Sequence, residues 1–292
     1  MNLFKHIVII YNPNSTGDSP SIAKKFAAEA RTYLDASDVQ LKETEHAGHA
    51  ETLAYDAAKS LPDVLIVSVS GDGGYHEVIN GALRAQAKDG SKPVCAVLPG
   101  GNANDHYSSV SKRPLIEALR DGAVEHLDVL AVRINDTTTY AHSYAGLGLT
   151  PLVAVELNRH SLSALKESWL AIKTFWKFRP FTIALDGKKQ RFDSLVLANI
   201  DRMAKYLTLS EEKQPNDGLF EVVRWPHHNK LRLIAALLRS AFHQGEPAPA
   251  VRDISFSALR SMPMQLDGEI TQLAVGDTVR VTCAQGLLRT LR

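Results

Sequence analysis

The sequence is poor in cysteine and in net charge. Its 292 residues include two cysteines, Cys95 and Cys283, which are too few for a disulfide framework or a thiolate metal cage. Both lie in apolar runs and are predicted to be buried strand residues. The formal net charge of +1 excludes a protein that coats nucleic acid by bulk charge. We therefore expect no nucleic-acid partner.

The chain also lacks segments that would direct it to a membrane or across one. No signal peptide is visible where residues 1–6 lead directly into a strand. No apolar run approaches the roughly 20 residues needed to span a bilayer. These absences predict a cytoplasmic protein. The hydrophobic fraction of 45% excludes general disorder, and the length fits two domains or one large one.

The first 130 residues alternate short apolar runs with helical sequence. The runs 7–11, 64–67 and 95–98 show no polar alternation, as in strands covered on both faces. Each is followed by a glycine-containing loop and then by an amphipathic stretch. This rhythm predicts an α/β domain with a doubly wound, mostly parallel sheet over residues 1–128.

From about residue 127 the pattern changes to consecutive strands separated by turns. Asn135–Asp136 and Asp186–Gly187 are hairpin signals between β-type runs. Further strands are predicted at 195–200, 219–225, 254–256, 264–266 and 278–283. We expect an antiparallel β-sandwich over residues 129–284, with helical inserts near 151–178 and 229–243. The last strand, at about 285–292, is expected to complete the first domain.

Three polar, glycine-bearing loops follow apolar runs of the first domain, at residues 11–17, 69–81 and 98–105. Glycine allows the backbone to approach a ligand, and a helix that begins after such a loop offers free N–H groups to phosphate. The carboxyl ends of parallel strands meet at one edge of a sheet, where α/β proteins bind ligands. The three loops are therefore expected to converge on one site.

These loops resemble motifs of the diacylglycerol kinase catalytic-domain family, which includes bacterial lipid kinases, sphingosine kinases and ceramide kinases. Residues 12–17 resemble its Asn-Pro-x-Ser/Ala-Gly opening with one extra residue, 70–74 its Gly-Gly-Asp-Gly-Thr motif, and 99–105 its Pro-x-Gly-Thr-x-Asn-Asp loop. Family-like residues also occur at Thr44, 49–50, 77–81, Asp128, 216–222 and 266–269. The resemblance spans most of the chain and implies an NAD kinase/phosphofructokinase-like N-terminal domain that binds nucleotide and a β-rich domain that binds lipid.

The resemblance implies an ATP-dependent kinase that phosphorylates a lipid hydroxyl, with diacylglycerol or a similar lipid as the favoured acceptor. Asp72 is the candidate essential acidic group, which orients the hydroxyl or organises metal, and Glu269 is the candidate general base. Mg²⁺ would be bound by Asp217 and by the backbone oxygens of Gln214 and Leu219. Two further carboxylates, Asp105 and Asp128, would support this acidic network.

Nucleotide contacts are implied for the residues of the three loops and their neighbours. They are Asn12, Pro13, Ser15, Thr44, Ser70, Gly71, Gly73, Gly74, Tyr75, His76, Glu77, Gly101, Asn102 and Asn104. Gly74 and Asn102 stand where the family has threonine. The sphingosine kinase version also lacks the first threonine, and the Asn102 amide can still donate a hydrogen bond.

Basic and aromatic residues are interleaved between residues 158 and 192, where Trp169 and Trp176 accompany eight lysines and arginines. Such a stretch suits transient contact with an anionic membrane surface, which implies a peripheral location. The alternative to membrane contact is an amphipathic helix whose aromatic residues are buried in the core and whose lysines are solvated. Pairing of sheet edges into a homodimer is also left open.

Three other functions compete with a diacylglycerol-type lipid kinase. A sphingoid-base kinase is favoured by the similarity of residues 70–78 to the sphingosine kinase motif. A soluble kinase related to NAD kinase or phosphofructokinase shares the Gly-Asp-Gly loop. A non-catalytic nucleotide or lipid sensor is motivated by Gly74 and Asn102. The 12–17 and 99–105 loops favour the lipid kinase.

Overall fold

The computed structural model describes residues 3–33, 38–148, 180–200, 202–203, 207–208, 214–227 and 248–292. The predicted helical inserts near 151–178 and 229–243 lie outside these ranges, as does most of the basic and aromatic stretch. The chain divides into two compact units. Unit 1 comprises Met1–Val129, Pro215–Asp217 and Gln285–Arg292, and unit 2 comprises Leu130–Gln214 and Gly218–Ala284. The predicted boundaries near 128 and 285 lie beside these limits.

Unit 1 contains a parallel sheet with strand order β2-β1-β3-β4. The pairing of Thr290 with Cys95 adds the end of the last strand to β4, also in parallel. The sheet is parallel because a helix separates each strand from the next. The elements are β1 (His6–Tyr11), α1 (Ser19–Tyr33), β2 (Asp38–Glu43), α2 (His49–Ser60), β3 (Val64–Ser70), α3 (Asp72–Asp89), β4 (Val94–Pro99), α4 (Asp105–Val110), α5 (Leu115–Asp121) and the start of β5 (Glu125–Ile134).

The core of unit 1 confirms the burial expected from the unbroken apolar runs. All seven residues of β3 are buried, and Ile7, Ile9 and Leu65 pack with Phe26 of α1 in one cluster. A strand with helices on both faces has no polar side to expose, which is why its sequence does not alternate. The α/β class and the mostly parallel N-terminal sheet are therefore confirmed.

Unit 2 is built from antiparallel strands in the order β16-β15-β7-β9-β8-β14-β17, and β12 also pairs with β9. Both predicted hairpins are present. The arrangement of these strands as a sandwich stays a prediction. The elements are β6 (Thr137–Ala141), β7 (Tyr144–Gly148), β8 (Phe181–Leu185), β9 (Lys188–Ala198), β10 (Arg202–Met203), β11 (Leu207–Thr208), β12 (Phe220–Pro226), β13 (Ala250–Val251), β14 (Asp253–Ala258), β15 (Met262–Leu266), β16 (Glu269–Leu273) and β17 (Thr278–Thr290).

Two details of the strand predictions are corrected. The predicted strand at 278–283 continues to Thr290 and reaches unit 1. Cys95 is buried as expected, but Cys283 is only half-buried.

In the part of the chain that the structure describes, no helix combines the length and the apolar character needed to cross a bilayer.

Candidate functional site

The three glycine-bearing loops meet at the carboxyl edge of the unit 1 sheet. The Gly100 N–H donates to the Ser70 carbonyl at 3.0 Å, and the Gly17 N–H donates to the Gly100 carbonyl at 3.0 Å. The first bond joins the loop after β4 to the end of β3. The second joins it to the loop after β1. The loops meet because β1, β3 and β4 are parallel neighbours whose ends share one edge.

Glycine is required where these loops touch, because backbone lies against backbone. A Cβ on Gly101 would lie 2.3 Å from the Gly71 Cα, and a Cβ on Gly17 would lie 2.7 Å from the Gly100 oxygen. No side chain can occupy either place without moving the opposite loop. The absence of side chains at these positions lets the loops pack closely and would let a ligand approach their backbone.

Hydroxyl groups secure the first loop to the third. Ser15 Oγ donates to the Gly100 carbonyl, and Ser19 Oγ donates to Ser15 Oγ at 2.9 Å. Asn12 closes its own turn, because its Oδ1 accepts from the Asn14 N–H at 2.9 Å. Ser19 and Gly17 were not predicted as site residues. The helix-start signal at Ser19 and the glycine in its loop were the only signs in the sequence.

Asp72, the candidate essential acid, binds the start of α4 through both of its carboxylate oxygens. Oδ2 accepts from the Asp105 N–H at 3.1 Å, and Oδ1 accepts from the His106 N–H at 3.0 Å. A carboxylate at a helix start satisfies free N–H groups and is stabilised by the helix dipole. The structure thus brings Asp72 and Asp105 together, and the Asp105 side chain is buried.

Asn104 shapes the loop between β4 and α4. It adopts a left-handed backbone conformation with a φ of 53°, which asparagine tolerates better than most residues. Its Oδ1 accepts from the Gly101 N–H at 2.9 Å, and its Nδ2 donates to the Gly101 carbonyl at 2.8 Å. The loop is therefore closed on itself, and Asn102 at its tip is exposed.

Of the three residues that follow Gly74 on α3, Tyr75 and His76 are buried and Glu77 is half-buried. Tyr75 is fully buried, and burial raises the pKa of its hydroxyl well above the usual value. His76 is 7% exposed. The Glu77 carboxylate accepts from the N–H groups of Gly48 and Ala50 at 2.8 and 3.1 Å and so caps α2. Their predicted nucleotide contacts stay predictions.

The remaining nucleotide candidates lie around the same edge. Thr44 follows β2, and its N–H donates to the Tyr11 carbonyl at 3.0 Å at the end of β1. Pro13 belongs to the loop after β1, and Gly73 to the first turn of α3. The structure therefore gathers all the nucleotide candidates in unit 1, on the loops and helix starts that follow four adjacent parallel strands.

The predicted metal ligands are distributed over both units. Asp217 belongs to unit 1, whereas Gln214 and Leu219 belong to unit 2. No group of three or more His, Cys, Asp or Glu side chains that could hold a metal ion occurs among the described residues. The proposed set, one carboxylate and two carbonyl oxygens, is nevertheless of the kind that Mg²⁺ prefers. Asp217 is exposed.

Asp128 contacts the two segments of unit 1 that come late in the chain, residues 215–217 and 285–292. Its N–H donates to the Pro215 carbonyl at 2.8 Å, and its Oδ1 accepts from the Gly286 N–H at 2.7 Å. The side chain is 1% exposed. Asp128 therefore fastens segments 215–217 and 285–292 to the first domain, which is consistent with a supporting role.

Glu269, the candidate general base, lies in unit 2 and is exposed at the first position of β16. It follows a tight turn in which Asp267 and Gly268 have φ values of 50° and 101°. His227, directly after the end of β12, has its Nδ1 2.9 Å from Asp193 Oδ1. His228 lies outside the described residues.

Comparison with known proteins confirms the family resemblance. Residues 6–132 match the model of the diacylglycerol kinase catalytic domain. The chain is 25% identical over 261 residues to the "Putative lipid kinase YtlR" of Bacillus subtilis (strain 168), a match that covers 78% of this chain and 81% of that protein. It is 33% identical over 109 residues to sphingosine kinase 1 of Rattus norvegicus, which covers 36% of this chain and 27% of that protein.

The fold is also similar to that of a solved structure. A "putative diacylglycerol kinase" from Bacillus anthracis str. Sterne superposes with a TM-score of 0.73 at 17% identity, over 99% of this chain and 97% of that chain. At this identity the likeness establishes the fold. The sequence matches support a lipid kinase, for which ATP is the expected phosphate donor.

Proposed function

We propose that this protein transfers the γ-phosphate of ATP to the hydroxyl of a membrane lipid. The premise is that residues 6–132 match the diacylglycerol kinase catalytic domain. Diacylglycerol or a similar lipid is the favoured acceptor. The observation that carries the proposal is the junction of the three glycine loops, where Gly100 is bonded to both Ser70 and Gly17. Glycine-bearing loops that converge at the carboxyl edge of a parallel sheet, beside the start of a helix, suit a phosphate-bearing ligand.

Phosphoryl transfer depends mainly on positioning and on neutralising charge. Asp72 would orient the acceptor hydroxyl or organise metal, and its position is fixed by the two bonds to α4. Glu269 would accept the hydroxyl proton. Asp217 and the backbone oxygens of Gln214 and Leu219 would hold Mg²⁺. The ion would supply positive charge that offsets charge on the phosphates.

The acceptor is proposed to be reached at a membrane surface, where the protein would bind peripherally and transiently. The motivation is the interleaved basic and aromatic sequence between residues 158 and 192. We expect cosedimentation with vesicles that contain anionic lipid and less with neutral vesicles. Equal binding to both kinds of vesicle would contradict the electrostatic part of this proposal.

Label transfer tests the reaction. The purified protein is incubated with Mg²⁺, γ-labelled ATP and separate vesicles that contain diacylglycerol, a sphingoid base or phosphatidylglycerol, and the organic phase is then separated. We expect a labelled lipid that disappears with EDTA and with Asp72→Ala. Label in a water-soluble product after addition of NAD would instead favour the soluble kinase. ATP binding without transfer to any acceptor would favour the sensor.

A further inference from the structure

Asp267, two residues before Glu269, is a fully buried carboxylate that binds three consecutive backbone N–H groups. Its Oδ2 accepts from the His142 N–H at 2.8 Å. Its Oδ1 accepts from the N–H groups of Ser143 and Tyr144 at 2.8 and 3.0 Å. Successive N–H groups that converge on one anion form a nest, and here the anion belongs to the protein itself.

The imidazole of His142 completes this site, and it is also fully buried. Its Nε2 lies 3.5 Å from Asp267 Oδ2, and its Nδ1 lies 2.7 Å from Ser143 Oγ. Asn199, which directly follows β9, contacts the same bend, because its Nδ2 donates to the His142 carbonyl at 3.1 Å. A buried carboxylate is stable only when its oxygens are satisfied, so this cluster must form as a unit.

The cluster determines where the chain reverses direction before Glu269. The Asp267 N–H donates to the Tyr144 carbonyl at 3.1 Å, so both its backbone and its side chain are bonded to the bend between β6 and β7. Only Gly268 separates this fixed residue from Glu269, which pairs with Leu266 across the hairpin. The Glu269 side chain is exposed, so its direction depends on the backbone beneath it.

We propose that His142 and Asp267 are positioning residues for Glu269: the buried pair holds the turn that aims the general base. The inference rests on the proposed function, because the role of Glu269 does. Its physical basis is the sensitivity of catalysis to placement, since a shift of about 1 Å in a reacting group can lower the rate about 100-fold. Nothing in the sequence pattern of the 266–269 motif points to His142, which lies 125 residues before Asp267.

Three substitutions of His142 separate its two contacts. His142→Gln can keep a donor near the place of Nε2, His142→Asn keeps a polar group near the place of Nδ1, and His142→Ala keeps neither. We expect the Ala and Asn variants to lose about 10- to 100-fold in kcat with an unchanged KM for ATP, and the Gln variant to recover most of it. Equal kcat in the Gln and Asn variants, or losses that track the folded fraction, would overturn the proposal.

Amide hydrogen exchange tests positioning without relying on kinase activity. In Asp267→Asn, one acceptor oxygen becomes an NH₂ group that faces N–H donors, so we expect faster exchange across residues 267–270. Asp186→Asn is the matched control, because Asp186 and Gly187 form an equivalent turn between β8 and β9 with φ values of 52° and 71°. Unchanged exchange in Asp267→Asn would refute positioning. A wild-type protein that phosphorylates no lipid would instead refute the proposed function, and the exchange result would still stand.

Discussion

Ser70 and residue 74 compete for the same space at the start of α3. A Cβ at position 74 would lie 2.5 Å from Ser70 Oγ and 2.7 Å from Ser70 Cβ, so only glycine fits there. The family motif has glycine at the first of these positions and threonine at the second. At residues 70 and 74 this chain therefore differs from the family motif in a coupled way, because Ser70 carries a hydroxyl group and residue 74 carries none.

Exchanging both residues together should be tolerated better than exchanging one. We expect Gly74→Thr alone to lower the free energy of unfolding by about 1–3 kcal/mol, because overpacking forces Ser70 or the helix to shift. The double variant Ser70→Gly/Gly74→Thr should recover most of this stability and should transfer label from ATP. Thermal unfolding and label transfer measure the two effects. Gly74→Thr as stable as the wild type would contradict the steric argument.

Asp72 is expected to matter far more for activity than for stability. Asp72→Asn keeps one acceptor oxygen for α4, so we expect a loss of about 1 kcal/mol in the free energy of unfolding. Loss of the negative charge should lower label transfer at least about 100-fold. Asp89→Asn, at the other end of α3, is the matched control and should change neither quantity. An active Asp72→Asn enzyme would remove Asp72 from the proposed mechanism.

The strands and the positions of the loops could be predicted because their causes are local. The run from Val64 to Val67 is apolar throughout, and Asp186–Gly187 has the residues that a tight hairpin turn demands. The parallel order of β1, β3 and β4 then follows from the helices between them. This suffices to predict that the three loops lie at one edge of the sheet.

The contacts that build the site could not be predicted, because they join residues far apart in the chain. Asp72 binds the N–H of Asp105, 33 residues later, and Gly17 binds the carbonyl of Gly100. A sequence motif indicates that such residues matter, but it does not say which backbone group each one meets. The same limit applies to Glu77, because the motif does not indicate that its carboxylate caps α2.

Substitution of Glu77 should lower stability through its contact with α2. Glu77→Gln places an amide NH₂ opposite one of two N–H donors, so we expect a loss of about 1 kcal/mol, or about 2–4 °C in Tm. Glu51→Gln is the control, since Glu51 forms a partly exposed ion pair with Arg84. The KM for ATP of the same variant tests the predicted nucleotide contact separately. An unaltered Tm would show that the cap contributes nothing measurable.

The buried thiol of Cys95 should make the protein less stable at alkaline pH. Burial raises the pKa of this thiol from 9.0 to about 12, because the charged thiolate would lose its solvation. Below about pH 9 the thiol is protonated in both states, and its contribution to stability is fully present. Above that pH the unfolded chain ionises first, so the contribution is lost progressively until the pH reaches the folded pKa.

The expected slope is a fall of about 1.4 kcal/mol in the free energy of unfolding per pH unit above about pH 9. Urea unfolding at several pH values between about 8 and 10 measures it. Cys95→Ala should flatten the curve over this interval even though it creates a small cavity. Tyr75 should add to the fall only above about pH 10, because burial raises its pKa from that value. The same slope in Cys95→Ala as in the wild type would show that another group controls the alkaline transition.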